Sequence, residues 1–262
     1  MNKAAPRPGD GTIGKALEVL DLIARFERPV RFSEVLSQSS HPKATLYRLV
    51  QTLTSLGMLR YDVDNQTYAP GLRLVSLAHA AWRQSSLAPI ARPHVDALSE
   101  TIGETVHLAQ LDGGQVLYVD KRNAADPIEM FSQAGKVGPA YCTGVGKAML
   151  AFLGDAAREV ALAQQAWFPH TSHTHTSRAS LLDELATVRR DGLAYDREEH
   201  ETGIICVATP ILSETGRSIG ALSVTTSTAR KSLSDLTEFV PHIKTTAQDI
   251  AKSAATWQFP TQ

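Results

Sequence analysis

The chain has 262 residues, with 26 Lys and Arg against 27 Asp and Glu and with 43% hydrophobic residues. That length and composition exclude a single minimal domain and wholesale disorder, and suit two globular domains. The two cysteines, Cys142 and Cys206, exclude a disulfide framework or a four-cysteine zinc site within one chain.

The opening MNKAAPRPGDG carries Pro and Gly without the apolar stretch of a secretory signal, and no later run approaches the roughly 20 apolar residues of a membrane span. Residues 1–11 are therefore expected to be disordered, and the protein to be cytoplasmic with no membrane contact. Residues 1–79 hold ten Lys and Arg against seven Asp and Glu, and the remainder sixteen against twenty. A surplus this small does not decide for nucleic acid over a solvated face.

Ile13, Ala16, Leu17, Leu20, Ile23 and Ala24 fall at the spacing of one helix face. After Pro29, Ser33 is positioned to cap a short second helix carrying Val35 and Leu36. The polar stretch Ser37 to His41 leads to Pro42, which suits a first helical turn. Leu46, Leu49, Val50, Leu53 and Leu56 then give a third apolar stripe ending at Gly57. Leu59–Tyr61 and Thr67–Tyr68 flank the turn-rich Asp62 to Gln66 and predict a β-hairpin. Three helices and a hairpin are the order of a mostly α-helical winged helix-turn-helix over residues 12–70.

The outer face of the third helix carries Lys43, Ala44, Thr45, Tyr47, Arg48, Gln51 and Thr52, with no acid among them. Such a face can follow phosphates and reach base edges in a major groove. Ser33, Lys43, Ala44, Thr45, Tyr47 and Arg48 are assigned to DNA, although Arg48 could instead pair with an acid inside the domain. The string PKATLYRLVQTLTSLGMLRYD resembles the recognition helix and wing of the IclR-type regulators, where Pro-Lys-Ser-Thr-x-x-Arg-Leu-Leu is usual. The chain departs at Ala44, which removes a hydroxyl, and at Ser40-His41, where Gly-Leu is usual and where the turn geometry is affected.

Leu72, Val75, Ala78, Ala81 and Trp82 continue a helical pattern, so residues 71–86 are read as a linker helix and 87–262 as an effector-binding domain. The chain is expected to turn from Ser85 to Pro93, with a helix over Val95, Leu98 and Ile102 closed by Gly103. Val106, Leu108 and Gln110 then alternate, Asp112-Gly113-Gly114 turns, and Gln115 to Lys121 returns as a second strand. Ile128–Ser132 reads as a third strand, Thr143–Phe152 and Ser180–Arg190 as helices, Ile204–Ile211 and Ser218–Thr226 as strands, and Leu236–Ala251 as a final helix. An antiparallel sheet with helices on it is an α+β sensor-like domain.

In Pro139 to Ala148, glycines open a helix with Thr143 as a candidate cap. Exposed amides at Gly144, Val145 and Gly146 could hold a carboxylate, or the glycines could only permit close packing. A nucleotide P-loop is excluded, because Tyr141 stands in place of the first required Gly and Ala148 in place of the Mg²⁺-binding hydroxyl. Ala194 to Cys206 crowds Asp196, Glu198, Glu199 and Glu201 beside His200 and reads as a solvated loop more simply than as a metal or catalytic site. In Ala221 to Thr225, Ser223 and Thr225 share one strand face.

The ordered set TGVGKA, YDREEHETGIIC and GALSV resembles the effector-binding domain of the IclR family, and the resemblance covers residues from about 12 to 250. It implies a GAF-like C-terminal architecture, and it implies small-acid contacts at Met130, Gly144, Val145, Asp196, Cys206, Ser223 and Thr225, the last in place of a common Ser. Thr143 and Gly146 join them from the helix start. It also implies homodimers or homotetramers on palindromic operator DNA, and a sugar acid of the ketodeoxygluconate type as effector. No cofactor, metal or catalytic residue is assigned. The alternative is a hydrolase of small carboxylates, using Cys142 or Cys206 with His107 or His200, or a metal at His170, His173 and His175, but no local motif surrounds either thiol.

Overall fold

The computed structural model describes residues 11–85 and 87–255. The expected disorder of residues 1–11 thus lies almost wholly outside the described residues, as do Ser86 and the chain beyond Ala255. The chain divides into two compact units between Gln84 and Ser85.

In the first unit, α1 (Thr12–Ala24), α2 (Phe32–Gln38) and α3 (Lys43–Ser55) bury Val19, Leu20, Ile23, Val35, Leu46, Leu49, Val50 and Leu53 together. The expected stripe of α3 is buried except for Leu56, whereas in α1 Leu20 and Ile23 are buried with Val19, and Ile13, Leu17 and Ala24 of the expected face are exposed. The hairpin of β2 (Leu59–Asp62) and β3 (Thr67–Pro70) forms as predicted, and a strand missed in the sequence, β1 (Val30–Arg31), completes a three-stranded sheet of order β1-β3-β2. Asp62 shapes the wing turn by accepting hydrogen bonds from the backbone N–H of Asp64 at 3.0 Å and of Asn65 at 3.2 Å. Two expected caps are corrected. Arg31, not Ser33, is the N-cap of α2, with its N–H donating to the Glu34 carboxylate at 2.8 Å, and Ser33 lies exposed one position inside the helix. Pro42 stands at the N-cap of α3 and not within its first turn. α4 (Leu72–Ser85) follows the wing.

In the second unit, α5 (Ala88–Ile102) begins earlier than expected. Pro89 sits in its first turn, where no N–H is needed, so the anticipated turn through Pro93 is helix. Gly103 ends it in the left-handed region at φ 72°. β4 (Thr105–Asp112) and β5 (Gln115–Arg122) pair around the Gly113-Gly114 turn. Ile128–Ser132 is not a strand; the third strand is β6 (Val137–Pro139). Backbone in the irregular stretch finds side-chain partners instead, with the Phe131 N–H donating to the Glu201 carboxylate at 2.9 Å.

Beyond β6 come α6 (Gly144–Leu150), α7 (Asp155–Ala163) and α8 (Arg178–Asp191). Then β7 (Ala194–Arg197), β8 (Ile204–Leu212) and β9 (Ser218–Ser227) lead to a 3-10 turn at Asp235–Phe239 and α9 (Val240–Ser253). The expected start of the last helix at Leu236 is therefore a 3-10 turn. The strands form one antiparallel sheet of order β6-β5-β4-β9-β8-β7. α5 and α9 pack on one face. α6 packs on the other, where Ala109, Ala194, Ala208 and Ala221 leave room for it.

Candidate functional site

On α3, the buried leucines force Lys43, Ala44, Tyr47, Arg48, Gln51 and Thr52 outward, all exposed, with Thr45 half-buried at the edge. Among the described residues neither Lys43 nor Arg48 forms an ion pair, so the alternative of an internal partner for Arg48 fails. Two members are less available: the Gln51 amide donates to the Tyr68 hydroxyl at 3.2 Å, and the Thr52 hydroxyl to the Arg48 carbonyl at 2.9 Å. Tyr47 is braced edge-on by Phe32, with ring centres 5.8 Å apart. At the departure from Gly-Leu, His41 Nε2 lies 3.2 Å from the Glu18 carboxylate and ties the turn before α3 to α1.

The face of the large sheet under α6 gathers most of the other assigned residues. Register places Asp196 opposite Cys206, Cys206 opposite Thr225, and Ala208 opposite Ser223. α6 comes down on this row at Gly144, where a Cβ would stand 2.4 Å from the Cys206 sulfur. A Cβ on Gly146 would stand 2.3 Å from the Ala140 carbonyl oxygen. Close packing is therefore required of both glycines. The N–H groups of the first helical turn have no partner within the helix, and those of Gly144 and Asp196 turn toward the Cys206 sulfur. Val145 puts its side chain into the apolar core, which leaves only its amide to a ligand. Thr143 occupies the N-cap, but its hydroxyl donates to the Pro139 carbonyl at 2.8 Å and caps nothing. Met130 is buried in the irregular stretch, two residues before Ser132.

The expected solvated acids are a correction. Glu199 is 2% exposed because the Lys147 ammonium, itself fully buried on α6, bonds its carboxylate. Glu184 lies 3.4 Å from the same ammonium, and Arg197 bridges Glu184 at 2.8 Å. Removing one partner of such a set strands a buried charge, at about 3–5 kcal/mol. Asp196 Oδ1 accepts from the Glu199 N–H at 2.7 Å. Burial and then the nearby Glu199 charge push the Asp196 carboxyl up to about 7, so it holds a proton for much of the neutral range.

Sequence reasoning considered His107 only as a partner for a thiol, and missed Tyr118 and Ser132. On β4, opposite Ser223, His107 is 2% exposed. Its Nδ1 lies 3.2 Å from the Thr225 hydroxyl and 3.5 Å from that of Ser223, and its Nε2 lies 2.8 Å from the Ser132 hydroxyl. A register shift after Leu108 puts the Tyr118 ring beside it, with centres 5.4 Å apart. Both thiols are buried, and burial raises both pKa values, that of Cys206 to about 12, which leaves no thiolate nucleophile. Among the described residues, no three or more His, Cys, Asp or Glu converge on a metal-sized point.

The family described as the IclR helix-turn-helix domain matches residues 12–63, and that described as bacterial transcriptional regulator IclR C-terminal matches residues 79–252. The HTH-type transcriptional regulator XynR of Escherichia coli K12 is 31% identical over 228 residues, 87% of this chain and 90% of that one. The HTH-type transcriptional regulator KdgR of the same strain is 29% identical over 251 residues, 95% of each. The crystal structure of the Thermotoga maritima IclR, 29% identical, superposes with a TM-score of 0.76 over 93% of this chain and 98% of that one.

Proposed function

The chain belongs to the IclR family of transcriptional regulators, DNA-binding proteins with an effector-binding C-terminal domain and not enzymes, and from that premise we propose that its effector is a small hydroxylated carboxylate of the sugar-acid class. One observation carries this reading. The sheet face under α6 buries Asp196, Ser223 and Thr225 in one neighbourhood beneath Gly144, a set of donors and acceptors suited to a carboxylate and several hydroxyls. Amides at Val145 and Gly146 extend the carboxylate end, and Met130 and Cys206 supply softer walls. A hydroxylated acid can engage the Asp196 carboxyl and the Ser223 and Thr225 hydroxyls with its own hydroxyls, whereas an aromatic ring offers them no donor or acceptor.

The acid-free face of α3 supports Lys43, Ala44, Thr45, Tyr47 and Arg48 as operator contacts, with Ser33 reaching the backbone from α2. A homodimer, singly or paired into a tetramer on a palindromic operator, would cover the exposed apolar side chains Ile13 and Leu17 of α1 and Leu72 and Val75 of α4.

Calorimetric titration tests the effector class. Asp196→Ala and Ser223→Ala should each lose affinity for a ketodeoxy sugar acid by about tenfold or more while keeping the fold and operator binding. Tight binding of a benzoate-like acid with no response to sugar acids would overturn the ligand class and leave the regulator standing.

A further inference from the structure

Histidine is intermediate in how often it is buried, and His107, at 2% exposed, owes its place inside the sheet to polar neighbours. The neighbours of His107 are three hydroxyls on two separate segments: Thr225 and Ser223 on β9, and Ser132 in the irregular stretch before β6. Ser223 and Thr225 also lie 3.4 Å from one another, so the imidazole and three hydroxyls form one continuous chain. Each hydroxyl rotates and each is both donor and acceptor, while a neutral imidazole offers one of each. The chain can therefore reverse its direction to meet either a donor or an acceptor.

Position adds a length requirement. Gly144 sits over Cys206 on β8, and His107 lies on β4, with β9 between them. Two strand spacings are about 10 Å. A three-carbon acid anchored at the α6 amides covers little of that distance, whereas a six-carbon acid carries hydroxyls well along it.

We propose that His107, with Ser132, is the specificity-determining end of the effector site, reading the distal hydroxyls of the acid whose carboxylate lies at the start of α6. This inference rests on the effector site described above and adds the residue that measures the ligand's far end. His107 does not act as a cationic clamp for the carboxylate: burial, and then the Lys121 charge, lower it to about 3, so it is neutral at physiological pH.

The test is calorimetry with two probes sharing one head group, 2-keto-3-deoxygluconate and pyruvate, on the full chain. In His107→Phe, which keeps the ring beside Tyr118 and removes both nitrogens, affinity for the hydroxylated acid should fall about tenfold or more while that for pyruvate stays within about twofold. Ser132→Ala, a milder change outside the sheet, should show the same selective loss at about threefold. His107→Gln, which restores a donor and an acceptor, should recover part of the preference. If His107→Phe does not fold, the Ser132 and Gln variants decide. Wild-type discrimination in the folded variants overturns the role of His107 while the effector site stands. A wild-type protein that binds neither acid overturns the effector class, and this assignment with it.

Discussion

Asp196 pairs with Cys206 across two strands, and its neighbours decide its charge. Burial, with Glu199 beside it, raises the carboxyl to about 7, against about 3.9 for an aspartate in an unfolded chain. Between those values the native state holds more proton than the unfolded one. Stability contributed by this group is therefore present at the acid end and falls as pH rises from about 4 to 7. Asp196→Asn keeps an acceptor for the Glu199 N–H but cannot ionise, so the variant should lose less stability than wild type between pH 5 and pH 8 in denaturant melts. Equal losses would mean that the native carboxyl is already ionised at pH 5. Asp196, Cys206, Ser223 and Thr225 were grouped in the sequence by the order of motifs alone, and strand register brings them together on one sheet face; the burial of His107 beside them was not legible. Thr105-Val106-His107-Leu108 reads as a half-solvated strand, but helices cover both faces of this sheet, and alternation then no longer separates inside from outside.

At the scale of elements, those with strong periodicity or punctuation were read correctly, α1, α3, β4, β5 and α8 among them. Those held by distant side chains were not. β7 and the acids after it looked like a solvated loop because the cation that neutralises Glu199 comes from Lys147, 52 residues earlier. Ile128–Ser132 looked like a strand, but its backbone is held by Glu201 and its Ser132 side chain by His107, so no ladder forms. α3 was the clearest element, and its prediction is local. Lys43→Ala and Arg48→Ala should fold normally, since neither side chain is buried or paired among the described residues. A phosphate contact should be lost uniformly across operators with a shallower salt dependence. A base contact should cost about 1–3 kcal/mol and relax specificity at one position. Operator titrations at several salt concentrations distinguish the two, and unchanged affinity and slope in both variants would remove α3 from the interface.

For the whole molecule, regulation requires that effector free energy reach the operator contacts, a coupling between two sites in two separate units. The covalent route between them runs through α4, which spans Leu72–Ser85 as continuous helix. Its first turn is fastened to the DNA-binding unit, with Leu74 packed on that unit's core and Arg73 donating to the Leu56 carbonyl at 2.8 Å. A displacement imposed on the later turns would therefore be delivered to α3 through this anchored end as long as the helix stays stiff. A short Gly-Ser insertion after His79 replaces that stiffness with a flexible coil and leaves both anchors and the effector residues in place. Effector affinity, measured by calorimetry, should then stay within about twofold of wild type, while the shift in operator affinity on adding effector should vanish. An insertion variant that responds to effector as wild type does would show that α4 does not carry the coupling.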